Sequence, residues 1–344
     1  MNFFDSIYIS PVRFCMVQIV LAGLLICPTA IAQKEPQTVS QSCPAPPTQP
    51  TPEKIQALFK VAKDRGFLWK FEKNGRTGFL YGTVHINKLE WSFPGPKTIA
   101  AIRDSDLIAF ELDVLDPQIQ AQMSNPAISG IKNVPLPQPL KQRMEAVARR
   151  VCAPLEALAA MHPIMQMVTV TLLDARFAQF EIGYGSEIFM AGFARGAKKT
   201  TTSLETAELQ MRALFAGDAD EVIASVESGL TLFESGRQRE QTARLLSVLA
   251  TSNFTDLQQY EKWCECATTD ADRRFLKRIN DDRNTGLAAS IDKLHHEGRR
   301  VFAAIGALHM VGPNAVPKLL ADMGHKVERV AFESSTAVVE TKAE

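Results

Sequence analysis

Two passages far apart in the chain run through the same order of elements. They are FLYGTVHINKLEWSFPGPKTIAAIRDSDLIAFELD (79–113) and RRVFAAIGALHMVGPNAVPKLLADMGHKVERVAF (299–332). Each is an apolar strand-like run that stops at a glycine, with a histidine three residues on. A Pro/Gly turn, a short helix and a second strand then follow. Strand–helix–strand units build parallel α/β sheets with right-handed crossovers, and ligands bind outside the carboxyl ends of the strands. Both G-x-x-H segments fall at such ends. The pattern predicts one α/β fold in which two similar units form a central mixed sheet and bring His85 and His309 to one edge.

With 19 glycines and 6 histidines in 344 residues, chance supplies about 0.3 G-x-x-H matches per chain. A single match therefore says nothing, but two in the same structural setting are harder to dismiss. Gly82 and Gly306 are expected to let the chain turn as it leaves the strand, so that each imidazole projects from its loop. Glu111, in LIAFELDV, is the third candidate. A carboxylate at the end of a buried strand needs a cation, a metal or a hydrogen-bonding partner. Two imidazoles and a carboxylate form a recognised ligand set for a divalent ion with open positions. Asp113 lies nearer the loop and is expected to cap or bind water.

Between the two units, residues of about 135–298 carry apolar side chains at intervals of three and four and read as a helical insertion or lid. One strand, KKTTTSL (198–204), interrupts it just before Glu205. Ahead of the first unit, TPEKIQALFKVAKDRG (51–66) reads as a helix with Thr51 as N-cap, Pro52 at its start and Gly66 at its end. Asn74-Gly75 marks a hairpin. His162 is expected to break a helix in the lid, beside a pliable Met-rich stretch. His295, His296 and His325 lie among charged residues and are expected to be solvated.

The N-terminal run FCMVQIVLAGLLIC, preceded by Arg13 and followed by PTAIA, reads as a secretory signal cleaved after Ala32. Lipidation at Cys27 is disfavoured by bulky Ile26. This implies a periplasmic or secreted protein with no membrane span in its mature form. A Pro-rich leader (33–52) precedes a single domain (53–335), and residues 336–344 form a tail. The mature chain keeps Cys43, Cys152, Cys264 and Cys266, an even number that favours disulfides in an oxidising compartment. Cys43 is expected to tie the leader to Cys152. The C-x-C spacing of Cys264 and Cys266 is not that of a zinc knuckle and reads as a disulfide or buried thiols. Lys+Arg equals Asp+Glu, so no basic excess argues for nucleic acid.

The paired G-x-x-H motifs with the FELD glutamate resemble the TraB/PrgY/GumN family, and within it the Tiki-type metalloproteases that clip secreted signalling proteins. YGSEIFMAGFARGAKKTTTSLETAELQ and RINDDRNTGLAASI also look like family segments, so the likeness spans roughly residues 66–332, closest to the exported bacterial GumN-like branch. The resemblance implies that His85, Glu111 and His309 surround a divalent metal (Mn, Co, Zn or Fe) and activate a water. Glu111 or Glu205 would accept a proton, and Arg283 would hold a substrate carboxylate or an oxyanion. Glu187 and Asn284 are further family positions. The implied activity is hydrolysis of a peptide or protein substrate. An envelope adaptor without turnover and an esterase-like hydrolase are the alternatives. The chain lacks H-E-x-x-H, so the mechanics of zinc-helix proteases do not transfer.

Overall fold

A computed structural model describes residues 43–48, 50–125 and 134–332. The signal segment, most of the leader and the tail lie outside the described residues. Six strands form one mixed sheet: β1 (Phe67–Lys73), β2 (Arg76–Thr83), β3 (Leu107–Phe110), β4 (Thr200–Ser203), β5 (Val301–Gly306) and β6 (Lys326–Val330). Their order is β4-β3-β5-β2-β1-β6. The four from β4 to β2 run parallel, while β1 is antiparallel to both β2 and β6. Asn74 (φ 55°) and Gly75 (φ 71°) make the β1–β2 turn in the left-handed region, as the Asn-Gly pair predicts.

Strand periodicity sorts the core into two faces. Phe67, Trp69, Phe71, Leu80, Leu107, Ala109, Val301, Ala303 and Ile305 point to one face. There they meet Leu246 and Leu249, Leu287 and Ile291, and Val316 and Leu320 from three helices. Leu68, Tyr81, Ile108, Phe110, Phe302 and Ala304 point to the other, against Ala101, Ile102, Met190 and Ala194. Part of the helical insertion therefore covers the sheet and is not a lid. Ser186–Gly196, Arg237–Ala250 and Asp281–His296 are its sheet-covering helices. A separate core around Met144, Val170, Val226, Leu230 and Phe233 joins Gln138–Arg150, Pro163–Ala175 and Ala219–Glu234 into a helical unit of their own.

The two strand–helix–strand units also part ways. The first returns to the parallel block at β3, whereas the second sends β6 to the far edge, where among the described residues it pairs with β1 alone. The first helix stops at Lys60, short of Gly66. The chain beyond it carries Asp64 to the start of helix Pro96–Asp104. Its carboxylate accepts from the backbone N–H groups of Lys97 and Thr98 (both 2.9 Å) and from the Thr98 hydroxyl (2.8 Å). Gly95, the N-cap, supplies no side chain, and a Cβ there would sit 2.0 Å from the Asp64 nitrogen. Asp64 thus caps from a distance. Asp64→Ala should cost about 1–2 kcal/mol, read as a lower denaturant midpoint at unchanged slope; an unchanged midpoint would refute the capping role.

Cys43 is joined to Cys152 across 109 positions. Arg176 adds a bond to the Ala45 carbonyl (2.9 Å), so the leader stub is held against the body. Cys264 is joined to Cys266. Among the described residues no helix is long and apolar enough to cross a membrane.

One reading of charged positions is corrected and another is extended. His295 and His325 are 2% and 4% exposed, not solvated. They pack against each other and Phe71, with His295 Nε2 on the Arg76 carbonyl (3.1 Å) and His325 Nε2 on Asp292 (2.7 Å). Asp113 is buried; its carboxylate accepts from the Leu115 N–H (3.3 Å), capping the loop as expected, and also takes a bidentate bond from Arg195 (2.7 and 2.8 Å). His162 does end up at a helix start, its Nδ1 accepting from Ile164 N–H (3.3 Å) and its ring against Phe215.

Candidate active site

The carboxyl ends of the parallel strands assemble the site. Glu111 follows β3, Glu205 follows β4 and His309 sits in the 3-10 turn after β5. Glu205 N–H donates to the Glu111 carbonyl (3.1 Å), extending the β3–β4 pairing by one step. Alternation along β3 turns Glu111 toward the face covered by helix Asp281–His296, whose first turn carries Arg283 and Asn284.

Arg283 joins the two carboxylates. Its Nη2 lies 2.5 Å from Glu111 Oε2 and 2.5 Å from Glu205 Oε2, and its Nε reaches Glu205 Oε1 at 3.1 Å. Nη1 donates to the Ile279 carbonyl (2.8 Å). The sequence reading offered Arg283 to a substrate anion; the structure instead commits its donors to the protein. Gln210 Nε2 bridges the same Glu111 and Glu205 oxygens, at 3.2 Å each. Gln210 was missed in the sequence. Its signal is weak, lying one turn into the helix that begins just after Glu205.

Glu111 Oε1 accepts from the Gly306 N–H (2.5 Å) and faces His309 Nε2 at 3.5 Å. His309 Nδ1 sits on Asn284 Oδ1 (2.5 Å); donation to that oxygen leaves Nε2 without a proton. His309 is 2% exposed, so it does not project from its loop as expected. His85 does: its side chain is 78% exposed, with Nδ1 hydrogen-bonded to Glu187 Oε1. The charge of His85 is felt at both Glu111 and His309.

The glycines work through space and not through backbone freedom, because neither has a positive φ. A Cβ on Gly306 would stand 3.1 Å from Glu111 Oε1, and one on Gly82 3.1 Å from the Ala307 Cα. The small residue lets the β5 turn close on Glu111.

Burial works to raise the Glu111 carboxyl, but His309, Arg283, the Gly306 N–H and His85 hold it down at about 2. Burial pushes the His309 imidazole down to about 4, against the pull of Glu111. Glu187 lifts His85 to about 9. By formal charge Glu111, Glu205 and Arg283 together carry one surplus negative charge, and His309, pushed down by burial, adds no positive charge at neutral pH.

Among the described residues no three His, Cys, Asp or Glu side chains stand close enough to grip a metal ion as they are. The donor chemistry nevertheless suits a cation. Unprotonated His309 Nε2 and Glu111 Oε1 converge with no hydrogen between them, inside a net negative cluster. Asn284 and Glu187 each hold the Nδ1 of one histidine, the arrangement that orients ligating imidazoles and frees their Nε2 atoms.

The TraB/PrgY/gumN family model matches residues 67–329, which include every residue of this cluster. The chain belongs to the TraB/PrgY/gumN family. No curated protein and no solved structure matches it. The matched TraB/PrgY/gumN span begins at β1 and ends one residue before the end of β6, so it takes in the sheet except for Val330.

Proposed function

We propose that this TraB/PrgY/gumN protein is an exported, metal-dependent hydrolase of peptide bonds, with His85, Glu111 and His309 holding one divalent ion (Mn, Co, Zn or Fe). The observation that carries the reading is the facing pair of His309 Nε2 and Glu111 Oε1, two lone-pair acceptors 3.5 Å apart in a cluster with surplus negative charge. The bound ion would lower the pKa of its water and polarise the scissile carbonyl.

The chain's own groups have separable tasks. Asn284 fixes the tautomer of His309, and Glu187 fixes the ring of His85 with Nε2 left over. His85 enters the set once it gives up the proton that Glu187 stabilises. Arg283 keeps Glu111 ionised, which makes that carboxylate a holder of positive charge rather than an effective base. Glu205 balances Arg283, since its oxygens are taken by Arg283 and Gln210.

A peptide library incubated with the purified mature protein tests the reading. Cleavage is expected, falling at least ~100-fold with chelator and returning with one of the four metals. Stoichiometric metal without turnover would move the protein to the adaptor reading, and cleavage indifferent to chelator would remove the ion.

A further inference from the structure

The Cys264–Cys266 bridge does little that a structural disulfide does. The entropy a crosslink removes from the unfolded chain grows with the logarithm of the loop it closes. Cys43–Cys152 closes a separation of 109 residues and fastens the leader stub, whereas Cys264–Cys266 closes a separation of 2. It lies in the short 3-10 turn Glu265–Ala267 between two helices, and fastens no distant segment.

Its surroundings are unequal at the two sulfurs. Cys264 is 7% exposed and Cys266 is half-buried, so an external reagent meets Cys266 first. A bridged sulfur has no hydrogen to give, so in the contact between Tyr260 Oη and Cys266 Sγ (3.2 Å) the phenol is the donor. Burial pushes the Tyr260 hydroxyl up to about 12, which keeps that proton in place through neutral pH. The Cys266 N–H in turn donates to Cys264 Sγ at 3.3 Å. Each sulfur therefore has a donor ready to stabilise it as a thiolate. Two cations stand close: Arg237 pairs with the intervening Glu265, and Arg273 donates to the Ala267 and Thr268 carbonyls.

We propose that Cys264 and Cys266 form a redox-active dithiol/disulfide site that exchanges with external thiols or disulfides, separate from the Glu111 cluster. Cys266 is the cysteine that meets the partner and Cys264 is the resolving one. In the reducing direction an external thiolate attacks Cys266 Sγ. The Cys264–Cys266 bond breaks, its electron pair leaves on Cys264, and a mixed disulfide remains on Cys266. A second external thiolate attacks the partner sulfur of that mixed disulfide and releases Cys266. The sum is two external thiols and one protein disulfide becoming one external disulfide and a protein dithiol, with the two protons passing to the cysteines. The oxidising direction starts from the Cys266 thiolate, which Tyr260 stabilises, attacking an external disulfide.

Glutathione trapping on the folded full chain tests this. With oxidised glutathione, the Cys264→Ser variant should carry one glutathione on Cys266 by peptide mapping, while Cys266→Ser should leave Cys264 unmodified. Tyr260→Phe in the Cys264→Ser background should slow iodoacetamide alkylation of Cys266 at neutral pH about tenfold, as expected of a thiol that has lost its thiolate donor. Wild-type protein with reduced glutathione should open Cys264–Cys266 without denaturant. A bridge that opens only in denaturant, equal trapping on either cysteine, or an alkylation rate indifferent to Tyr260→Phe would overturn the proposal.

Discussion

Arg283→Met should destabilise the metal-free protein by about 3–5 kcal/mol, because it leaves two buried carboxylates with no guanidinium between them. The variant should also flatten the acid side of the pH dependence at Glu111. In the wild type the Glu111 pKa is depressed to about 2 in the folded state. Its stabilising contribution is therefore present above the unfolded carboxyl value, near 4.3, and is lost as pH falls from there toward 2. Without Arg283 one of the groups that hold the carboxyl down is gone while His309, the Gly306 N–H and His85 remain, so the folded pKa moves up toward the unfolded one. The stability lost on acidification then shrinks in step with that smaller depression. Urea midpoints collected across pH 3–8 with chelator present check both statements. A variant that keeps the wild-type acid slope would mean that Arg283 does not set the charge of Glu111.

Glu111→Gln should abolish turnover while the protein stays folded. Glutamine keeps the shape, and its carbonyl oxygen can still accept from Arg283 or Gly306. It loses the charge that faces His309 Nε2 and would hold the ion. Hydrolysis should fall at least ~100-fold, as expected when a metal ligand loses its charge, with a loss of stability well below that of Arg283→Met. Peptide cleavage and thermal unfolding on the same sample separate the two effects. A folded Glu111→Gln protein with wild-type cleavage would place the chemistry elsewhere.

Much of this arrangement was legible in local pattern. The Asn74-Gly75 turn, the apolar strands and the end of β5 at Gly306 depend on near neighbours, and so do the positions of Glu111, Glu205 and His309 at strand ends. What was not legible depends on packing between segments distant in sequence. Nothing near His309 announces that Asn284 will bury it, and nothing near Arg283 tells whether its donors go to substrate or to Glu111 and Glu205. His325 reads as solvated beside Lys326 until β6 pairs with β1 and sets the ring against Phe71. The likeness of the two G-x-x-H units suggested equal roles for their histidines. Instead, one is sealed beneath helix Asp281–His296 and the other stands at the rim beside Glu187.

The burial of His309 also revises what its removal should do. A loop imidazole in solvent would cost roughly 1 kcal/mol or less when truncated, but His309→Ala empties a closed site and leaves Asn284 Oδ1 without its donor. A cost of about 2–3 kcal/mol follows, from the cavity and the unpaired oxygen together. The fold should survive that loss.

Calorimetric titration of the chelated protein with Mn, Co, Zn and Fe(II), wild type beside His309→Ala, tests the shared site most directly. One ion should bind per wild-type chain, with affinity reduced at least about 10- to 100-fold in the variant. Equal binding in the two folded proteins, or no binding by the wild type, would contradict the assignment of His309 and Glu111 to a metal.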